Sequence, residues 1–280
     1  MEQHTLEHKI TIKGIGLHSG LDSVITLNPA PADTGIVFIE NGVQIKALYN
    51  QVKDTQNCTC LKKDGQTVST IEHLMAALFI SGIDNTYIEV SNPELPIMDG
   101  SAKQLLEQIK KVPFTSQNKK RKILKVKKPV CFTDEKGNFI KLSPVENEKM
   151  HIRFKIEFAS PVVGTQIFDN DITKEIFEKQ IAPARTFCEK YQIDYLKSLG
   201  LIKGGSLDNA VVLDGEKILN PEGFRVQNEC VNHKVLDLIG DMYTSGFFIS
   251  ANIEALRTGH FHNNEVLKKL FESNQNYEIL

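Results

Sequence analysis

Apolar and polar residues alternate in short runs over the first sixty positions. KITIKGIGL, SVITLNP, GIVFIE and VQIKALY are rich in β-branched side chains and punctuated by Gly, Pro and Asn, which predicts short strands joined by turns. The period then changes. STIEHLMAALFI predicts a helix opening at Ser69, three residues before Glu72 as in a capping box, and its apolar continuation places it in the interior. NTYIEVS reads as a strand, NPELPIMDG as a turn-rich connection, and SAKQLLEQIKKV as an amphipathic helix with Leu105, Leu106 and Ile109 inward.

The pattern breaks at TSQNKKRKILKVKKP, Thr115 to Pro129. Its lysines predict a solvated linker leading into an edge strand, where they discourage edge pairing, with a membrane-surface patch as the alternative. Beyond it the order recurs. Strands are expected near 122–128, 137–142 and 151–158, then a helix in the second half of QIAPARTFCEKYQIDYLKSLG and a strand at NAVVLD. The helix NHKVLDLIGD, the strand GFFISANIEAL and the helix EVLKKLFES complete the chain. Strands followed by helices in both halves predict two related α+β modules packed together, residues 1–118 and 119–280.

NHKVLDLIGD changes the picture from architecture to chemistry. At about 100° per residue, Val231, Val235, Leu238, Ile239 and Met242 share one face of the helix. His233, Asp237 and Asp241 fall on the other. Residues one turn apart have Cβ atoms roughly 5–6 Å apart, so His233 and Asp237 can reach one metal ion. Asp241 lies about 12 Å along the axis from His233 at about 1.5 Å per residue, too far to share its metal, and needs another role. A solvated helix face with an ordinary His–Asp contact fits the same spacing.

Elsewhere, His73 stands beside Glu72 at the start of the most apolar helix, a costly place for polar side chains unless something satisfies them. A capping role explains Glu72 but not His73. As a third ligand, His73 would complete a His₂Asp set with an open position for water, and Glu72 could then take that water's proton. Cys230, also on the polar side of the helix, is a rival ligand or a buried filler. His260, in RTGHFHNN after the strand ending near Leu256, reads as a loop histidine. It is either a surface residue or an imidazole held protonated by Asp241.

Composition narrows the classes. The 280 residues are 41% hydrophobic and 24% charged, ample for a large core. With 33 basic and 35 acidic residues the net charge is −2, so no nucleic-acid partner is expected. No apolar leader or spanning run is present, and a cytoplasmic protein without a transmembrane segment is expected. Five cysteines without a C-x-x-C pair argue against a disulfide framework.

STIEHLMAAL, GIDNTYIEVSNPELPIMDGSA, PARTFC, LIKGGSLDNAVVLD, LNPEGFR, NHKVLDLIGD and RTGHFHNN together resemble the successive signature segments of the UDP-3-O-acyl-N-acetylglucosamine deacetylase family, the zinc amidases of lipid A biosynthesis. The resemblance runs from GIGLHSG to His260. It implies two mostly antiparallel sheets packed on helices, as two-layer sandwiches with the active site between them. It also implies one catalytic zinc ion on His73, His233 and Asp237, with Glu72 as general base and His260 as general acid oriented by Asp241. Thr186 is implied to polarise the oxyanion, and Lys234, Arg257, Phe187, Gly205 and Ser206 to contact substrate. Residues around 188–212 correspond to the insert that wraps the acyl chain. The implied substrate is UDP-3-O-acyl-N-acetylglucosamine, and the enzyme is expected to be a monomer with transient contact at the inner membrane surface. This chain departs from the family at Asn232, where a basic residue is common, and at His262, where an apolar one is. A non-catalytic nucleotide-sugar binder and a zinc hydrolase of another amide are the competing readings.

Overall fold

The structure, a computed structural model, describes residues 1–280. Its helices are α1 (Glu72–Ser81), α2 (Lys103–Ile109), the short α3 (Lys174–Ile176), α4 (Lys190–Ser198), α5 (Glu229–Tyr243) and α6 (His260–Phe271). In the first half, five strands lie in the order Ile10–Ile15, Asp22–Pro29, Thr86–Val90, Ile36–Glu40, Val43–Lys46, and only the pair 86–90 with 36–40 is parallel. In the second half, Phe248–Leu256 is long enough to pair with three strands. It runs parallel to Ile123–Val126 and Met150–Glu157 and antiparallel to Phe139–Ser143. The fold is α+β, with mostly antiparallel sheets packed on helices.

One apolar core passes through both halves, and α1 lies at its centre. Glu72 to Phe79 are all buried, because a helix apolar on every side has no face to offer water. Each fully buried leucine such as Leu78 contributes about 1.5–3 kcal/mol. Against α1 packs α5, with Val231, Val235, Leu238, Ile239 and Met242 inaccessible to solvent. The two helices meet at Gly240. A Cβ there would overlap the carbonyl oxygen of Glu72 and stand 2.8 Å from its carbonyl carbon. Glycine therefore lets the backbones that carry the polar residues touch.

Three expectations from the pattern are corrected. α1 begins at Glu72, with no side-chain cap at Ile71 and with Thr70 at φ +59°, so the Ser69–Glu72 capping box does not form. The basic segment is no solvated linker, because Phe114–Lys120 pairs with Glu2–Leu6 at the chain's start. Ile123–Val126 is also no edge strand. It lies between Phe248–Leu256 and Tyr277–Ile279, with Leu124 and Val126 buried. The third correction is His260, which opens α6 and does not lie in a loop. The sequence could not show these strand pairings because each joins residues more than a hundred positions apart.

Candidate active site

Four elements converge on a cavity of about 40 Å³, small enough for the contents of a reaction centre alone. α1 brings Glu72 and His73, α5 brings His233, Lys234 and Asp237, and the start of α6 brings His260. Thr186, just before the strand Phe187–Glu189, lines it as well, as do Leu17 and His18 from the first half. A cavity of about 450 Å³ lined by Tyr49, Tyr243, Phe248 and Phe271 holds none of these groups, so volume is a poor guide to the chemistry here.

His73, His233 and Asp237 each offer one atom to a common point, all within 4.8 Å of one another. Asp237 Oδ1 stands 3.5 Å from His73 Nε2 and 3.4 Å from His233 Nε2, yet accepts no hydrogen bond from protein. Two metal–ligand bonds of about 2.0–2.2 Å at a tetrahedral angle put their donor atoms roughly 3.4 Å apart. The observed spacing therefore fits a shared cation better than it fits direct hydrogen bonding. His233 Nδ1 lies 3.1 Å from the Ala184 carbonyl, which can only accept, so the proton sits on Nδ1 and Nε2 offers its lone pair. Burial, reinforced by His73 and Lys234, lowers the His233 pKa to about 3 against the pull of Asp237. Although burial raises the Asp237 carboxyl, His233, Lys234 and His73 hold it well below its ordinary range. Both are in the protonation states that bind metal. Cys230 takes no part: burial and Glu229 push its thiol up to about 12.

Glu72 and His260 line the same cavity. Glu72 Oε2 accepts a hydrogen bond from the Thr59 amide at 3.0 Å. Burial raises its pKa, with Asp237 and Asp241 adding to the rise and His260 and His73 opposing it. His260 Nδ1 donates to Asp241 Oδ2 at 2.8 Å, leaving Nε2 unused. Asp241 is also held by Thr59 Oγ1 at 2.5 Å and Asn263 Nδ2 at 2.9 Å. Burial alone would lower the His260 pKa, but the Asp241 charge and hydrogen bond raise it to about 9. A carboxyl group and an imidazole held protonated thus line the same cavity as the three donors.

The remaining predicted residues sit at varied distances from the chemistry. Lys234 Nζ pairs with Asp237 Oδ2 at 2.9 Å and lies 5.7 Å from the Phe187 ring centroid. Phe187 in turn packs edge-on to His233. Arg257 does not line the cavity and is engaged by Glu157 and Asn138. Gly205 and Ser206 lie in the segment docked on Leu17, where the Ser206 amide donates to Asn209 Oδ1. His262 faces Asp134 at 3.1 Å and is absent from the cavity. Two structural participants escaped sequence reasoning. Thr59 bridges Glu72 and Asp241, and nothing in NCTC marks it. Arg185 is wholly buried on Glu229 at 2.8 Å, fixing the ARTF segment to the start of α5. A lone arginine between Ala184 and Thr186 was the available signal.

Three convergent donors with a carboxylate and an imidazole beside them are the outline of a metal-centred hydrolytic site. The relatives narrow that class. A family model described as UDP-3-O-acyl N-acetylglycosamine deacetylase matches residues 3–272. A protein of Syntrophotalea carbinolica named UDP-3-O-acyl-N-acetylglucosamine deacetylase is 40% identical over 99% of this chain and 90% of its own length. Proteins of the same name from Histophilus somni and Aliarcobacter butzleri are 40% and 39% identical over 100% of this chain and 93% of theirs. The chain belongs to the UDP-3-O-acyl N-acetylglycosamine deacetylase family.

Proposed function

We propose that this protein hydrolyses the N-acetyl group of UDP-3-O-acyl-N-acetylglucosamine to acetate and the free amine, a step of lipid A biosynthesis, using one zinc ion on His73, His233 and Asp237. The observation that carries the reading is the unpartnered Asp237 oxygen between two imidazole nitrogens at 3.4 and 3.5 Å, with Glu72 and His260 lining the same cavity. When bound, the zinc ion supplies Lewis acidity to the amide carbonyl and acidity to water.

The chain's own residues do the rest. Glu72 removes a proton from the attacking water, and its raised pKa makes it a stronger base than a solvated glutamate. The Thr186 hydroxyl donates toward the oxygen that becomes negative, its position set by the hydrogen bond from its amide to the Gly100 carbonyl at 2.7 Å. His260, kept protonated by Asp241, gives its Nε2 proton to the nitrogen as the C–N bond breaks. Acetate and amine leave, one water having been consumed.

Lys234 and Arg257 suit the diphosphate, Phe187 the uridine, and Gly205 with Ser206 the acyl-bearing side. The cavity of about 40 Å³ is too small for the whole substrate, so the acetyl end is assigned to it and the nucleotide and acyl chain to the surface beside it, between the two proposed modules 1–118 and 119–280. Exposed Tyr191, Tyr195, Leu199 and Leu207 give the 188–212 insert apolar surface suited to an acyl chain. No helix is long and apolar enough to cross a membrane. The proposal includes a cytoplasmic monomer that meets the inner membrane surface transiently. Acetate release from acylated and non-acylated UDP-N-acetylglucosamine by the zinc-loaded protein tests the reading. Rapid release from the acylated compound is expected, and release from neither would overturn it.

A further inference from the structure

Glu94, in the connection between the strand Thr86–Val90 and α2, is a buried carboxylate that the proposed chemistry leaves unused. It is 5% exposed, and no lysine, arginine or histidine forms an ion pair with it. An unpaired buried charge is costly unless hydrogen bonds replace its water. They come mainly from one turn: the His18 amide donates to Oε1 and the Ser19 amide to Oε2, each at 2.7 Å. Thr70 Oγ1 adds a longer contact to Oε1 at 3.4 Å, and Ser23 Oγ donates to the Glu94 carbonyl at 2.6 Å. The turn leaves no room for a side chain at Gly16, where a Cβ would overlap the carboxylate.

That turn carries Leu17 and His18 into the reaction cavity, and it also holds the insert. The Lys203 amide donates to the His18 carbonyl at 3.1 Å and the Gly204 amide to the Leu17 carbonyl at 3.0 Å. A Cβ on Gly204 would overlap the Gly16 carbonyl oxygen, so the two backbones are in direct contact. One carboxylate thus fixes a turn in the first half, and the turn fixes a segment more than a hundred residues later.

We propose that Glu94 is a positioning residue for substrate selection, which holds the Gly16–Ser19 turn so that the turn seats the acyl-facing insert over the cavity. The substrate arm of its test rests on the deacetylase reading; the structural arm does not. In Glu94→Gln one acceptor oxygen becomes an NH₂ group facing a backbone N–H. A charge-assisted hydrogen bond is thereby lost, enough for about a tenfold change.

Hydrogen exchange measured on the zinc-loaded protein should speed by about tenfold at the amides of His18 and Ser19 and also at Lys203 and Gly204, with α1 and α5 unchanged. For the acylated substrate, KM should rise about tenfold with kcat within about twofold, while turnover of the non-acylated compound stays as in the wild type. Gly204→Ala attacks the same contact from the insert and should reproduce the KM change, which keeps the proposal testable if Glu94→Gln folds poorly. Glu94→Asp, which retains the charge, should recover part of the affinity. Faster exchange at His18 and Ser19 with Lys203 and Gly204 unaltered would overturn the proposal, as would equal losses of kcat on both substrates. If the wild type deacetylates neither compound, the deacetylase reading fails while the exchange result still decides the role of Glu94.

Discussion

His233 on α5 and His260 at the start of α6 are both buried imidazoles in one cleft, yet their pKa values are about 3 and about 9. Burial disfavours the cation at both. His233 Nδ1 meets a neutral carbonyl, and the Lys234 ammonium lies nearby. His260 Nδ1 meets the Asp241 carboxylate at 2.8 Å, with Glu72 and Asp237 adding negative charge. The same side chain is thus neutral at one position and protonated at the other, as the proposed ligand and proton donor require, and the partner of Nδ1 decides which.

Removing a ligand should break this comparison most severely. His233→Ala leaves two donors, so metal content after dialysis should fall far below one equivalent and acetate release should disappear. Glu72→Gln comes next: turnover should drop about 10²–10⁴-fold with metal content unchanged, because the base is lost while the donors remain. Asp241→Asn sharpens the comparison itself. With Asp241 present, activity should hold up to about pH 9 and fall above it as His260 loses its proton. In the variant the alkaline limb should move down toward or below the ordinary histidine value of about 6.5. The raised pKa of His260 also stabilises the fold below about pH 6.5, a contribution lost as pH rises through about 9. The smallest effect is expected for Gly240→Ala. A methyl group pressed on Glu72 should cost about 1–3 kcal/mol, read as a lower melting temperature, with turnover reduced because α1 shifts against α5.

The α5 face was legible in sequence because helical periodicity is local: Val231, Val235, Leu238, Ile239 and Met242 on one side and His233, Asp237 and Asp241 on the other follow from spacing alone. The distance argument that kept Asp241 from sharing a metal with His233 also matches its place beside His260. What spacing could not supply was convergence. That His73 meets Asp237, or that Thr59 reaches Asp241 across 182 positions, depends on packing two halves of the chain together. The capping-box reading at Ser69 failed for a related reason. Glu72 turns its carboxylate to the Thr59 amide in the cleft, so the tertiary partner outcompetes the local one. The capping box that does form, between Glu189 and Gln192, opens α4 in the insert.

Nitrogen-15 NMR of the zinc-loaded, histidine-labelled protein tests the contrast most directly, with backbone-to-side-chain correlations assigning the two rings. Near pH 7.5, His260 should show two protonated ring nitrogens, and His233 one protonated Nδ1 and one unprotonated Nε2. A neutral His260 at that pH, or a His233 protonated on both nitrogens, would contradict the account.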